Sequence, residues 1–229
     1  MSVWILFHIV CGVAALLSMF VPVFTKKGGR AHRLGGRVYV WSMAGVVASA
    51  LTVCAIRLLD ETADHEGAYF LALVGILAGA NTWYGVRVLQ QKTRQQAHRN
   101  PVDRGIALIA AIAGAAGAVY GFVASQPLFI AFGLLSVSLG VGQLREMAGP
   151  WKDKKAWLVS HLSNMLAACI ATSTAFLVVN QPRLPAELAQ LVPPIVIWLA
   201  PTVLGSPLII WWSRKVRRGG ARAKQAARP

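Results

Sequence analysis

The chain has 229 residues, of which 56% are hydrophobic and only 14% are charged, whereas soluble domains are usually about 45–50% apolar and about 25% charged. Its formal net charge of +15 would suit a nucleic-acid-binding protein, but the Lys and Arg residues lie in short segments between apolar runs, as they do in the loops of membrane proteins. We therefore expect a protein that is nearly all membrane, with the lipid bilayer and not a nucleic acid as its partner.

Seven apolar runs of about 20 residues follow one another along the chain, and a helix of that length crosses about 30 Å of hydrocarbon. The first run lacks the basic segment and the cleavage site of a signal peptide, so we interpret it as a permanent span. The sequence predicts an all-α, polytopic transmembrane bundle over residues 1–213. A basic tail over residues 214–229 is predicted to be disordered and to contact anionic lipid headgroups. The predicted spans are residues 3–24, 38–59, 67–90, 105–124, 127–144, 157–180 and 191–212.

The placement of the cations predicts the orientation of the bundle. With the N-terminus outside, 21 of the 23 Lys and Arg residues fall on the cytoplasmic side, and only Arg57 and Arg183 fall outside. This bias predicts a multi-pass protein of the inner (plasma) membrane with a cytoplasmic C-terminus. The alternation supports seven spans, although only a short Ser-Gln-Pro turn separates the fourth from the fifth. A homo-oligomer is compatible with this arrangement.

Small residues and prolines indicate where helices pack or bend. Gly75 with Gly79, and Gly117 with Gly121, match the GxxxG spacing that lets helices approach closely in lipid, and we favour packing over a glycine-lined conduit. The last span is predicted to be bent or interrupted, as helices that frame transport sites can be. Its prolines are Pro193, Pro194, Pro201 and Pro207.

The five histidines are candidates for cofactor chemistry, because polar groups within the membrane are expensive. His8 and His161 fall inside predicted spans, whereas His32, His65 and His98 fall in predicted loops. A single haem between His8 and His161 is disfavoured, since a rise of about 1.5 Å per residue leaves them about 16 Å apart in depth. Two sites stay open, one pairing His161 with His32 and the other pairing His8 with His65. The plainer interpretation is that His8 and His161 hydrogen-bond to neighbouring helices. We therefore commit to no metal, and the candidate metal ligands are His8, His32 and His161.

One face of the sixth span is polar, because residues from His161 to Thr172 recur at helical spacing, and the third span brings polar residues to a similar depth. We predict an inner-half pocket between spans 1, 3 and 6 and the His32 loop, which could receive a small ligand, a quinone or a proton. Hydrogen bonds between helices, worth about 0.6 kcal/mol each, are the alternative. The candidate ligand-binding residues are His8, His32, Asn81, Tyr84, His161, Asn164 and Met165.

Motifs of soluble enzymes are missing from the sequence. It contains no GxSxG, HExxH or GxxxxGK[ST] motif and no convincing dinucleotide fingerprint. All eight Asp and Glu residues map to predicted loops or span ends, so a carboxylate-driven carrier would lack its usual groups. Cys11, Cys54 and Cys169 lie within apolar runs without a CxxC pair, and we interpret them as buried thiols.

Two stretches of the chain resemble a bacterial family of multi-pass membrane proteins known as domain of unknown function 2306. They read HIVCGVAALLSMFVPVFTKKGGRAHRLGGRVYVWSM, and HLSNMLAACIATSTAFLVVN followed by WLAPTVLGSPLI. With a short YGVRVL element they cover about half of the chain. The family has no established activity, so the resemblance implies marked positions but no reaction. Asn164 stands where many relatives would have a basic residue, which weakens an anion-binding role for the sixth span. The matching positions are His8, His32, Arg33, Gly36, Arg37, His161, Met165 and Asn180.

Three functions are compatible with these features. The first is a membrane protein that binds a small hydrophobic or redox ligand in the polar inner pocket. The second is a haem or quinone redox protein that uses the histidines. The third is a small-solute permease that uses the kinked last span. The sequence does not decide whether the protein is an enzyme.

Overall fold

The computed structural model describes residues 3–183 and 192–226, and over these residues the chain is helical without strands. Seven helices are each long and apolar enough to cross a membrane, so the chain is a multi-pass membrane protein. Short 3₁₀ turns at Val88–Gln90 and Gln181–Arg183 extend the third and sixth helices. The helices are α1 Val3–Phe24, α2 Arg30–Leu58, α3 His65–Arg87, α4 Pro101–Val123, α5 Pro127–Met147, α6 Ala156–Asn180 and α7 Pro194–Ala226.

Helix α2 begins at Arg30, well before the predicted start of the second span at residue 38. The reversal from α1 is confined to a short turn in which Gly28 adopts a φ of 74°. Gly35 lies within the helix without breaking it. Its missing side chain lets α2 lie against α1, since a Cβ there would come within 2.6 Å of the Cβ of Val21. His32, predicted to lie in a loop, is therefore a helical residue.

Helix α4 also begins earlier than predicted, at Pro101 and not at residue 105. The side chain of Asn100 caps it by accepting hydrogen bonds from the backbone N–H groups of Val102 and Asp103, at 3.0 and 3.1 Å. Proline suits the first helical position, because the N–H it lacks would have no partner there. Asp103 therefore lies in the first turn of α4, where it is 1% exposed.

The fourth and fifth spans are separate crossings, joined by a tight turn. Ser125 takes a left-handed conformation with a φ of 55°, which reverses the chain after α4. The N–H of Gln126 then donates to the carbonyl of Gly121 at 2.8 Å and closes the end of the helix.

Helix α7 differs from its prediction at both ends. The predicted start at Leu191 and the preceding Pro185 lie outside the described residues, and the helix begins at Pro194. It continues through Pro201 and Pro207, so the prolines do not interrupt it, as neighbouring groups allow in membrane helices. It also reaches Ala226, where the sequence predicts a disordered tail from residue 214. Ala, Arg, Lys and Gln dominate this stretch and are strong helix formers.

Helix α3 is the centre of the bundle. It packs against α2, α4, α5 and α6, while α1 with α2, α4 with α5, and α6 with α7 form antiparallel pairs around it. Half of the apolar stretch of α3 is buried inside the bundle, compared with 6–33% for the other six helices. Those helices present large apolar side chains outward, as a lipid-facing surface requires.

One end of the bundle, here called the basic end, gathers the α1–α2, α3–α4 and α5–α6 connections and the last turns of α7. The N–H of Trp151 donates to the carbonyl of Arg94 at 3.3 Å and joins two of these connections. Lys155 Nζ donates to the carbonyl of Val216 at 3.5 Å and joins the α5–α6 connection to α7. The connections thus alternate between the two ends, and the basic end carries the cations that the sequence assigns to one side.

Candidate functional site

A cavity of about 640 Å³ opens at the basic end, surrounded by α1, α2, α3, α6 and α7. Small-molecule sites usually measure about 300–1,000 Å³, so this volume suits a small ligand or the chain of a lipid. Its wall is mostly apolar and includes Trp157, Leu162 and Trp212. We call it the basic-end cavity.

The inner floor of the basic-end cavity is closed by packed side chains. Tyr39, Met165 and Cys169 line it, and the hydroxyl of Tyr39 lies 3.1 Å from Thr172 Oγ1. Behind them, α1, α2, α3 and α6 share a buried apolar cluster made of Ala15, Met19, Tyr39, Met43, Ala78 and Ala168. The cavity is therefore a vestibule that opens toward the basic end and does not pass through the bundle.

Two imidazoles line this vestibule. His161 Nδ1 lies 2.7 Å from the carbonyl oxygen of Gly85, and His32 Nδ1 lies 3.1 Å from that of Pro22. A carbonyl can only accept, so each Nδ1 must carry a hydrogen, and in the neutral imidazole Nε2 then keeps a free lone pair. Neither Nε2 has a hydrogen-bond partner among the described residues. A backbone carbonyl that orients Nδ1 in this way is typical of histidines that bind metals through Nε2.

The same cavity is lined by cations and by no Asp or Glu among its described lining residues. Arg33 and Arg37 lie one turn apart on α2, and their side chains form no hydrogen bond or ion pair with the described part of the chain. Lys92 Nζ lies 5.0 Å from the ring centre of Trp157, a cation–π contact. This cation-rich, carboxylate-free lining favours an anionic group on a ligand.

Lys27 closes the last turn of α1 at the edge of the cavity. Its Nζ donates to the carbonyls of Pro22 and Val23, at 2.7 and 2.6 Å, and lies 4.7 Å from the ring centre of Trp212. Burial lowers the pKa of the Lys27 ammonium below its usual range. The contact with Trp212 links the α1–α2 turn to α7 across the rim.

Gly36 gives the cavity part of its width. A Cβ built at this residue would have no atom within 4 Å, and the residue lines the cavity. Its neighbour Gly35 differs, because it is needed for the close approach of α1 and α2. A side chain at Gly36 would thus project into ligand space without a clash.

The structure brings together some of the predicted site residues and separates others. His32, His161 and Met165 line the basic-end cavity, together with Arg33, Gly36 and Arg37, which the family resemblance marks. His8 lies elsewhere, with its Nδ1 3.0 Å from Ser49 Oγ. Asn180 bonds within the last turn of its own helix, where its side-chain amide donates to the carbonyl of Phe176 at 2.8 Å.

The two predicted histidine pairs have different outcomes. His161 and His32 share one cavity, whereas no contact among the described residues joins His8 to His65. His65 is the first residue of α3, and its Nε2 lies 2.8 Å from the carbonyl of Asp60. No group of three or more His, Cys, Asp or Glu side chains in the described residues could hold a metal ion.

Asn81, Tyr84 and Asn164 face a second polar region behind the cavity. Gly85 and Met165 form the partition, since a Cβ on Gly85 would lie 2.8 Å from Met165 Sδ. The side chains behind it connect α3, α5, α6 and the α3–α4 connection. This polar cluster consists of Asn81, Tyr84, Arg94, Gln143, Ser160 and Asn164, with Glu146 at its exposed edge.

A buried carboxylate, which the sequence did not single out, fastens α3 to α4. Asp103 Oδ1 accepts hydrogen bonds from Trp83 Nε1 at 2.7 Å and from Arg87 Nε at 2.9 Å. Its Oδ2 lies 2.6 Å from His98 Nε2. These contacts surround the carboxylate completely, since its side chain is 0% exposed. We assign it a structural role at the basic end.

Sequence reasoning also missed the aromatic residues at the rim, Trp157 and Trp212, and the cations Lys27 and Lys92. Trp at span ends is the interface pattern of membrane proteins and could have indicated these positions. Gln143 lies in the fifth span, and its amide is expensive in lipid unless it has partners, which was the available signal.

Comparison with family models, with curated proteins and with solved structures gives no match for this chain. The resemblance to domain of unknown function 2306 therefore stays a prediction. Function has to be argued from the basic-end cavity itself.

Proposed function

We propose that this multi-pass protein lies in the inner membrane with its basic end in the cytoplasm, and that the basic-end cavity binds an amphipathic ligand. The ligand has an apolar body and an anionic head. One observation carries the proposal: among its described lining residues, the apolar-walled vestibule of about 640 Å³ has four cations and no carboxylate. The cation bias of the loops supports the orientation.

The apolar body accounts for the affinity. Burial of each CH₂ group contributes about 0.8 kcal/mol, so a chain of several carbons within the cavity provides a large part of micromolar binding. The closed floor sets the length of chain that fits, because Tyr39 and Thr172 tie α2 to α6 there. A ligand would therefore lie with its apolar end toward this floor.

The anionic head is placed by Arg33, Arg37 and Lys92. A guanidinium offers carboxylates and phosphates two parallel N–H donors, and these charge-assisted hydrogen bonds are stronger than neutral ones. Arg33 and Arg37 have no competing partner among the described residues, so they are available to a ligand. The orientation of the ligand follows from the positions of floor and cations.

The proposal is tested with purified protein in neutral-lipid nanodiscs, using oleate, lysophosphatidic acid and uncharged monoolein as probes in native mass spectrometry. We expect both anionic probes to bind more tightly than monoolein, and their ranking distinguishes a carboxylate from a phosphate head. Arg33→Gln and Arg37→Gln should each weaken the anionic probes about tenfold, or about 1.4 kcal/mol. The control is Arg104→Gln, at the same end but outside the cavity lining. Equal affinity for all three probes would refute the anionic head.

A second candidate ligand is haem or a quinone, because the Nε2 atoms of His32 and His161 line the same cavity and have no hydrogen-bond partner in the part of the chain that the structure describes. Haem has an apolar macrocycle and two anionic propionates, so it belongs to the proposed ligand class, and its iron takes axial imidazoles. Titration with haemin should give a Soret shift that is lost in His32→Ala and in His161→Ala. His8→Ala is the control, since His8 contacts Ser49 elsewhere. An unshifted Soret band in the unmutated protein would exclude haem ligation.

A further inference from the structure

Three buried polar atoms have no hydrogen-bond partner among the described residues, and all three belong to the polar cluster. They are Tyr84 Oη, Arg94 Nε and Gln143 Oε1. More than nine in ten buried polar groups in proteins are satisfied, and an unsatisfied one costs about 1–3 kcal/mol. Their occurrence in a single cluster points to a common partner.

The hydrogen bonds around Gln143 determine what its free oxygen needs. Asn164 Nδ2 donates to the carbonyl of Ser160 at 2.8 Å, and Asn81 Nδ2 donates to that of Leu77 at 2.9 Å. Both Asn oxygens therefore turn to Gln143, whose Nε2 donates to them at 2.9 and 3.4 Å. Exchanging the amide atoms of Gln143 would set an acceptor against two acceptors. Its Oε1 is thus an acceptor that needs a donor.

Tyr84 and Arg94 contribute the other two unsatisfied groups: the Tyr84 hydroxyl can donate or accept, whereas Arg94 Nε can only donate. The Tyr84 hydroxyl lies close to the side chains of Arg94 and Glu146. No group in the described residues lies at the distance and angle of a well-formed hydrogen bond to it. The Arg94 terminal nitrogens are already engaged, with Gln91 Oε1 at 2.7 Å and with the backbone carbonyl of Glu146. Arg94 Nε, in contrast, has no acceptor among the described residues. The missing partner must both donate and accept.

We propose that water occupies a polar chamber between α3, α5 and α6 and bridges these three groups. Water supplies the donor that Gln143 needs and the acceptor that Arg94 needs, and buried waters usually make two to four such bonds. Glu146 is exposed at the basic end and gives the chamber a solvent-facing side.

The chamber ends inside the bundle. Above Asn81, Leu77 belongs to an apolar cluster that closes the way to the opposite end, and Trp198 of α7 packs against that cluster. The chamber is therefore closed at its inner end, and the contact between Gly85 and Met165 separates it from the basic-end cavity. The cluster consists of Phe70, Leu73, Leu77, Phe129 and Phe132.

Thiol accessibility tests the hydration of the chamber. The full chain, with Cys11, Cys54 and Cys169 replaced by Ala, carries either Gln143→Cys or Ser136→Cys and is treated with iodoacetamide in nanodiscs. Ser136 lies two turns deeper on α5, is 0% exposed and donates to the carbonyl of Ala110 at 2.7 Å, so it reports a dry site. Alkylation needs a hydrated thiolate, and intact mass should show at least about tenfold faster reaction at residue 143. Equal, negligible alkylation of both folded variants would overturn the proposal.

Removing the Tyr84 hydroxyl gives an independent test if the cysteine variant does not fold. In a hydrated chamber Tyr84→Phe removes a hydrogen bond and should lower the melting temperature by about 2–4 °C. In a dry chamber the hydroxyl is an uncompensated polar group, and its loss would leave the melting temperature unchanged or raise it. That second result would contradict the proposal. Tyr69→Phe is the control, because Tyr69 is 56% exposed on the same helix.

Discussion

Filling the basic-end cavity from Gly36 should weaken ligand binding about 100-fold without harming the fold. Gly36→Leu adds four carbon atoms at a point where no atom lies within 4 Å of the new Cβ. They displace about four methylene groups of a ligand. At about 0.8 kcal/mol for each buried CH₂, the loss is about 3 kcal/mol, or roughly 100-fold in Kd. Leucine is also a better helix former than glycine, so stability should hold or rise by up to about 1 kcal/mol.

The measurement compares binding of oleate and lysophosphatidic acid by Gly36→Leu, the unmutated protein and Gly142→Leu in nanodiscs. Gly142 lies on α5, also has no atom within 4 Å of a built Cβ, and does not line the cavity, so it receives the same side chain without the obstruction. Thermal melting of all three proteins checks the fold. If Gly36→Leu bound both probes as tightly as Gly142→Leu did, the ligand would not occupy this cavity and the reasoning would fail.

Two further predictions concern stability, and thermal melting with denaturant titration in detergent checks both. Asp103→Ala should destabilise the protein by about 3–5 kcal/mol, because Arg87 and Trp83 would lose a partner that is 0% exposed. The control, Asp153→Ala, should cost only about 1 kcal/mol, because the ion pair of Asp153 with Arg217 spans 3.7 Å at an exposed site. Equal losses of stability in the two variants would contradict the structural role of the buried Asp103 carboxylate. Gly133→Ala should cost about 1–3 kcal/mol or more, because its Cβ would lie 2.5 Å from the backbone nitrogen of Ala118. The control, Gly75→Ala, should be neutral or stabilising, since the nearest atom to a Cβ built there is 3.7 Å away. Equal melting temperatures of the Gly133 and Gly75 variants would refute tight packing of α4 on α5.

The membrane architecture could be predicted from the sequence because its signal is long-range and redundant. Each of the seven apolar runs is long enough to span the bilayer, and each appears as a helix in the structure. Even the short turn after α4 was correctly placed, and Ser125 shows how the chain makes it. The GxxxG pattern was less informative. Gly121 packs tightly on α5, with a built Cβ 2.7 Å from Ile130 N, but Gly75 has room to spare.

The contents of the site could be predicted only in part, because helix periodicity gives a depth and a face but not a neighbour. Asn164 and Met165 are adjacent in sequence and similar in depth, yet they face different compartments on either side of the α3–α6 contact. Gln143 was missed because its partners, Asn81 and Asn164, come from two other helices. Asp103 falls in a predicted loop because the predicted fourth span begins only at residue 105, whereas the helix begins at Pro101, and proline is favoured at the first helical position.

The early start of α2 connects these observations. A flexible loop over residues 30–37 would leave its cations in water, where they would pair with solvent and shape no cavity. Once this stretch is helical, His32 and Gly36 are one turn apart on the same face, and so are Arg33 and Arg37. All four line the basic-end cavity, so the turns of α2 that extend beyond the predicted span form one wall of it. Gly35 holds this wall against α1, because its missing side chain is what allows α2 to approach Val21. The two glycines of one dipeptide thus have separate roles: Gly35 sets the position of the helix, and Gly36 leaves room for what it binds.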